Sequence, residues 1–287
     1  MTWTNYHSHS YFCDGKFPPE EHIKEAIKQG LIAYGVSTHC PVPFPSTWNM
    51  KMDEVPQYVK EVREAQEKYK DQIQVYLGME VDYIPDVVGC SSDFIRAAKL
   101  DYTVGSIHYV DQFDDGKHWE IDGPHNIFLA GLEQIFNNNP QAAVERYFEL
   151  TRKMVEEDCP DVVGHLDKIK MQSEDGVLFN EQQQWYKKAI EATLETIASA
   201  NVIVEVNTRG IYKKATTTPY PSPWVLEKML DMQIPISLNA DSHVPNEITK
   251  EFAPTAQLLE EIGFKQIHIL YNGEWQPVAF DRNGLKP

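Results

Sequence analysis

Short apolar, β-branched runs alternate with amphipathic stretches along almost the whole chain. Strand-like runs fall at Thr2–Tyr6, Ile32–Thr38, Ile73–Glu80, Tyr102–Ile107, Asp161–Gly164, Val202–Val206 and Ile234–Asn239, with a further one at Gln266–Tyr271. Helical patterning occupies Glu20–Gln29, Glu54–Lys70, Ser92–Ala98, Gln141–Glu157, Glu181–Ala200, Ser222–Met232 and Thr255–Ile262. Gly30 and Gly263 stand where a left-handed residue would end a helix. In Glu54–Lys70, Val55, Tyr58, Val59, Val62, Ala65, Gln66 and Tyr69 recur at near-helical spacing, a stripe that faces a core. Repeated strand–helix units with buried strands predict a parallel sheet with helices outside. Seven or eight such units without a break in composition favour one closed barrel over two open sheets, so the expectation is a single domain over 1–287.

No Pro/Gly/Ser-rich linker divides the chain, and its longest irregular stretch, roughly Asp111 to Pro140, is read as a loop and a candidate substrate wall. Among its 287 residues, 26 Lys+Arg against 43 Asp+Glu leave a formal charge of −17. That balance argues against a nucleic-acid-wrapping surface, although bound divalent cations could still invert the field at a local site. No secretory leader or membrane-length apolar run is evident. The four cysteines, Cys13, Cys40, Cys90 and Cys159, form no CxxC pair and read as free thiols. The expected setting is the cytoplasm, without membrane or nucleic-acid partners.

The candidate chemistry lies where the strands end. His7 and His9 follow the first, His39 the second, Glu80 closes the third, His108 the fourth, His165 the fifth, and Asp241 and His243 the seventh. In a parallel barrel these ends form the rim that carries active sites. Alternate strand residues point to one face, so His7 and His9 can converge on one ion, and Asp241 with His243 can do likewise. Glu80 has two oxygens and can bridge two cations. Imidazole with carboxylate suits Zn²⁺, Mn²⁺ or Fe²⁺ better than Mg²⁺ or Ca²⁺. Each histidine alone has a structural explanation, and the case for metal rests on the set. His22 and His268 read as structural, and Asp14 as either a solvated turn residue or an oxygen ligand.

The segments YHSHSYFCDG, GVSTHCP, GMEVDYIP, DYTVGSIHYVD, IDG, DVVGHLDKIK, EVNTRG, PYPSPWVL and LNADSH together cover nearly the whole chain. In this order they resemble the PHP (polymerase and histidinol phosphatase) superfamily of metal-dependent phosphoesterases, and most of all its histidinol-phosphatase branch. The resemblance implies an α/β fold, a single distorted (β/α)7 TIM-like barrel, with three divalent metal ions at the C-terminal rim. Carried over by position, one ion would be held by His7, His9, Glu80 and Asp241. A second would share Glu80 and add His108 and His165, and the third would use His39, His243 and Asp14. A hydroxide bridging two ions would attack phosphorus in line, and Asp241 or His243 could assist proton transfer. Arg209, just after the sixth strand, is the best-placed guanidinium for a phosphate, with Lys213 and Lys214 close behind.

The implied reaction is hydrolysis of L-histidinol phosphate to L-histidinol and phosphate. Hydrolysis of another small phosphate monoester or a nucleotide is the alternative. An amidohydrolase-type barrel fits less well, because strand six ends in Glu205 and Asn207 and no strand-end lysine is evident. A non-catalytic metal-binding protein would have little use for the full ligand set. Phe12, Phe17, Trp48 and Trp119 are candidate walls for the substrate, and the oligomeric state is open.

Overall fold

The computed structural model describes residues 2–286. The chain enters at β1 (Thr4–Asn5) and continues through β2 (Ala33–Val36), β3 (Gln74–Asp82) and β4 (Tyr102–Ser106). A short antiparallel hairpin, β5 (Tyr109–Gln112) and β6 (His118–Glu120), precedes β7 (Val162–Val163), β8 (Ile203–Asn207) and β9 (Ile236–Asn239). The helices are α1 (Pro19–Gln29), α2 (Val55–Tyr69), α3 (Asp93–Ala98), α4 (His125–Gln134), α5 (Pro140–Glu157), α6 (Gln184–Ala200), α7 (Arg209–Tyr212), α8 (Pro223–Asp231) and α9 (Phe252–Ile262). The seven-stranded sheet runs β1-β2-β3-β4-β7-β8-β9 with parallel pairings throughout. The result is a nearly closed, distorted (β/α)7 barrel, as the strand–helix rhythm and the family resemblance implied.

Closure across β1 and β9 relies on side chains as much as on backbone. Tyr6 N donates to Asn239 Oδ1 at 2.8 Å and Ala240 N to Asn5 Oδ1 at 3.0 Å. Just above this seam, His9 N donates to Ser242 O at 2.8 Å.

Two segments depart from expectation. Gln266–Tyr271 is a strand (β10), but it lies outside the barrel in an antiparallel sheet with β11 (Glu274–Asp281) and β12 (Gly284–Lys286). Trp275 from this sheet packs against Tyr6 and Tyr102 with ring centroids 5.2 and 6.3 Å apart, closing the N-terminal end of the barrel. The Tyr102 side chain fits inside because Gly35 and Gly78 flank it: a Cβ at Gly35 would come within 2.2 Å of its hydroxyl oxygen and one at Gly78 within 2.4 Å of its ring, the close approach that glycine permits. Asp111–Pro140 is also ordered rather than irregular, holding β6, α4 and part of β5. Trp119 is completely buried there, its indole lying against Gly131 of α4, and it is not a substrate wall.

Candidate active site

Glu80 sits where the strand ends converge. The sequence Gly-Met-Glu-Val-Asp continues β3 to the rim and places Glu80 and Asp82 on one face. Glu80 Oε1 accepts from Ser106 Oγ of the neighbouring strand at 2.7 Å. Around its two oxygens stand His165 Nε2 at 2.8 Å, His39 Nδ1 at 2.9 Å, His7 Nε2 at 3.2 Å, His9 Nε2 at 3.4 Å and His108 Nε2 at 3.5 Å. Asp241 Oδ1 closes the ring 3.1 Å from His9 Nε2. Asp241 adopts φ +52°, a left-handed conformation that an aspartate tolerates and that often marks a functional site. Asp14 is the most exposed member, with Oδ2 3.0 Å from His243 Nε2 and Oδ1 3.9 Å from His39 Nε2.

The nine residues fall into four overlapping groups with donor atoms within 4.8 Å of one another: His9/Asp14/His39/His243, His7/Glu80/His165, His7/His9/Asp241 and His39/Glu80/His108. His7 Nε2, His9 Nε2, His39 Nδ1 and Glu80 Oε2 are all buried without a hydrogen-bond partner. Buried polar atoms are rarely left unpaired, and here they converge on one another, so the donor set fits divalent cations of the zinc, manganese or iron class. The local field is steep. Burial pushes the Glu80 carboxyl up, but His39, His7 and His108 outweigh it and hold it well below the usual carboxylate range. Burial and the neighbouring His243 and His39 drive His9 down. His108, although burial disfavours its charge, is raised to about 9 by Glu80, Asp122 and Asp82. Asp82 Oδ1 contacts His108 Nδ1 at 2.8 Å, leaving Nε2 toward Glu80.

A cavity of about 410 Å³ opens over this cluster. Arg209 begins α7 and reaches back across the rim, donating through Nη1 to Asp241 O and to His243 Nδ1, both at 2.8 Å. Lys213 also lines the cavity but is paired with Glu247, whereas Lys214 is exposed and outside the lining. A second cation in the wall is Lys168, on the 3-10 turn after His165 and almost wholly buried, with Nζ 3.0 Å from Asp122 Oδ2. Burial disfavours its charge, but Asp122, Asp241 and Glu80 outweigh this and raise its pKa. Trp48 and Glu120 form another part of the wall, joined by an indole-to-carboxylate hydrogen bond of 2.9 Å. Phe12 packs in the core and Phe17 is exposed outside the lining.

The sequence pattern of the PHP domain matches residues 5–209. The chain belongs to the PHP family. A Schizosaccharomyces pombe protein named "Probable histidinol-phosphatase" is 28% identical over 284 residues, covering 93% of this chain and 89% of that protein. The Lactococcus lactis histidinol-phosphatase is 24% identical over 281 residues, covering 93% and 94%. The solved structure of histidinol phosphate phosphatase from Lactococcus lactis, complexed with zinc, L-histidinol and phosphate, has the same fold, with a TM-score of 0.71 at 19% identity across the full length of both chains.

The PHP match ends at Arg209, yet Asp241 and His243 lie beyond it, brought to His9 by β9 and the turn that follows. Residues that spacing alone did not single out include Lys168 and Asp122, which sit 46 positions apart in sequence and meet only in the fold. Glu205 carried a weak mark, an acid between Val204 and Val206 where an unpaired charge would be costly, and Asp82 closes β3 two positions after Glu80.

Proposed function

We propose that this PHP protein is a histidinol-phosphatase, hydrolysing L-histidinol phosphate to L-histidinol and phosphate with divalent ions held at the C-terminal rim. The observation that carries this reading is the composition of one cavity. Its floor is the outer part of the imidazole–carboxylate cluster (Asp14, His39, Asp241 and His243), and its walls hold the cations Arg209 and Lys168, besides the Glu247-paired Lys213, none of them part of that cluster. A phosphate monoester needs both. The named relatives support the choice of substrate within the family.

His7, His9, Asp14, His39, Glu80, His108, His165, Asp241 and His243 would hold three ions, with Glu80 shared. Those ions, when bound, supply Lewis acidity and activate water for attack on phosphorus. Arg209, fixed through Nη1, presents the rest of its planar fork to the phosphoryl oxygens. Lys168, kept charged by Asp122, supplies a second fixed positive point, so developing charge meets donors already in position. Glu120, whose carboxylate has no cationic partner among the described residues, gives the cavity wall an acceptor suited to a substrate bearing an amino group. The amide-cleaving alternative leaves both cations without a task.

The test is phosphate release from L-histidinol phosphate, sugar phosphates, nucleotides and oligonucleotides, with and without Zn²⁺ or Mn²⁺. Histidinol phosphate should be turned over with the highest kcat/KM, and only with metal. Preference for another monoester would retain the phosphatase chemistry and replace the substrate.

A further inference from the structure

Glu205 lies in the middle of β8, fully buried between Val204 and Val206. Its carboxylate meets groups from four strand segments. Oε2 contacts His7 Nδ1 at 2.6 Å and accepts from Asn239 Nδ2 at 3.3 Å; Oε1 accepts from His165 N at 3.2 Å and from the Asn207 side chain. Asn207 in turn reaches Asp241 Oδ2 at 3.3 Å. Among the described residues no lysine or arginine pairs with it, and its short contact is with the His7 ring.

A carboxylate can only accept. At 2.6 Å its partner must donate, which places a proton on His7 Nδ1 and turns Nε2 toward Glu80 Oε2 at 3.2 Å and Asp241 Oδ1 at 3.8 Å. Nε2 has no hydrogen-bond partner there. Facing two carboxylates, that nitrogen is satisfied either by a second proton or by a cation lying between them, and with a cation there it is free to ligate because Nδ1 holds the single proton of the neutral ring. We infer that Glu205 is a positioning residue of the metal centre: it sets the tautomer and ring orientation of His7, and the bonds it accepts from His165 N and Asn207 fix the carboxylate that does so. The inference rests on the metal-dependent reading above and extends it to a residue outside the ligand set.

Zinc affinity, measured by competition with a chromophoric chelator, tests this in wild type, Glu205→Gln, His7→Ala and the double variant. Glu205→Gln should weaken one class of bound zinc by about 10- to 100-fold, with an unchanged circular dichroism spectrum. In the His7→Ala background the same change should alter the affinity of the remaining zinc by about twofold or less, because its route through His7 is gone. Unchanged affinity in Glu205→Gln, or an equal loss in both backgrounds, would overturn the inference. If the variant does not fold, histidine-selective ¹⁵N NMR of zinc-loaded wild type decides: a proton on His7 Nδ1 is expected, and an unprotonated Nδ1 overturns it. Neither readout uses a substrate, so a negative phosphate-release panel and a negative zinc titration are separate failures.

Discussion

At the N-terminal end of the barrel, Tyr102 donates its hydroxyl to Tyr6 O at 2.6 Å and Tyr6 donates to Leu270 O at 2.8 Å, with Trp275 packed over both rings. At the C-terminal end of the same strands, Glu80 is surrounded by imidazoles, of which His39 Nδ1, His7 Nε2 and His9 Nε2 lack hydrogen-bond partners. Both ends are buried. One is saturated and apolar, so it contributes cohesion; the other holds buried charge and unpaired donors, which oppose folding unless a ligand completes them. The division follows strand direction, as in parallel barrels generally, where the lower face supports and the upper face reacts.

The contrast can be broken most severely at Glu80. Glu80→Ala should abolish metal at the shared positions and remove several kcal/mol of transition-state stabilisation, a loss of about a thousandfold or more in rate, while the barrel still folds. Elemental analysis and phosphate release read both effects, and full metal content with normal turnover would contradict the assignment. Tyr102→Ala attacks the other end. Removing a buried ring between Gly35 and Gly78 should cost about 3–5 kcal/mol of stability, seen as a lower denaturation midpoint. Metal stoichiometry and kcat of the folded fraction should stay near wild type; a matching loss of metal would mean that the two ends are not independent.

The smallest of the three effects sharpens the division within the upper end. Arg209→Ala should lower kcat/KM for phosphate monoesters by roughly 10- to 150-fold, about 1.5–3 kcal/mol, with metal retained. Loss of metal as well would show that its bonds to Asp241 O and His243 Nδ1 are what matters. Arg209→Ala as active as wild type would leave the phosphate grip to Lys168 or the ions.

The two ends differed in how far they could be read from residues alone. The rim was legible because ligand-type residues recur after apolar runs, a rhythm that survives even where β1 and β7 are only two residues long. The cover of the lower end was not, since β11 alternates weakly and its partner contacts are set by tertiary packing rather than by period. Trp119 illustrates the same limit: it stood as a candidate substrate wall, but α4, unread in the sequence, folds over it. Lys168 was hidden by distance. Its partner Asp122 lies in a segment expected to be irregular, so nothing local distinguished it from a solvated lysine.

The seam between β1 and β9 has a consequence for how the protein is made. The side-chain oxygens of Asn5 and Asn239 each accept a backbone N–H from across it, and the Tyr6–Asn239 bond spans 233 positions of chain. Contacts so distant in sequence are slow to form, because the closure entropy comes before the reward. His7 and His9 stand on one bank of the seam and Asp241 on the other. A nascent chain therefore offers an incomplete chelate until its last barrel strand has emerged and docked, and tight uptake of the ion they share becomes a late event that reports a finished barrel.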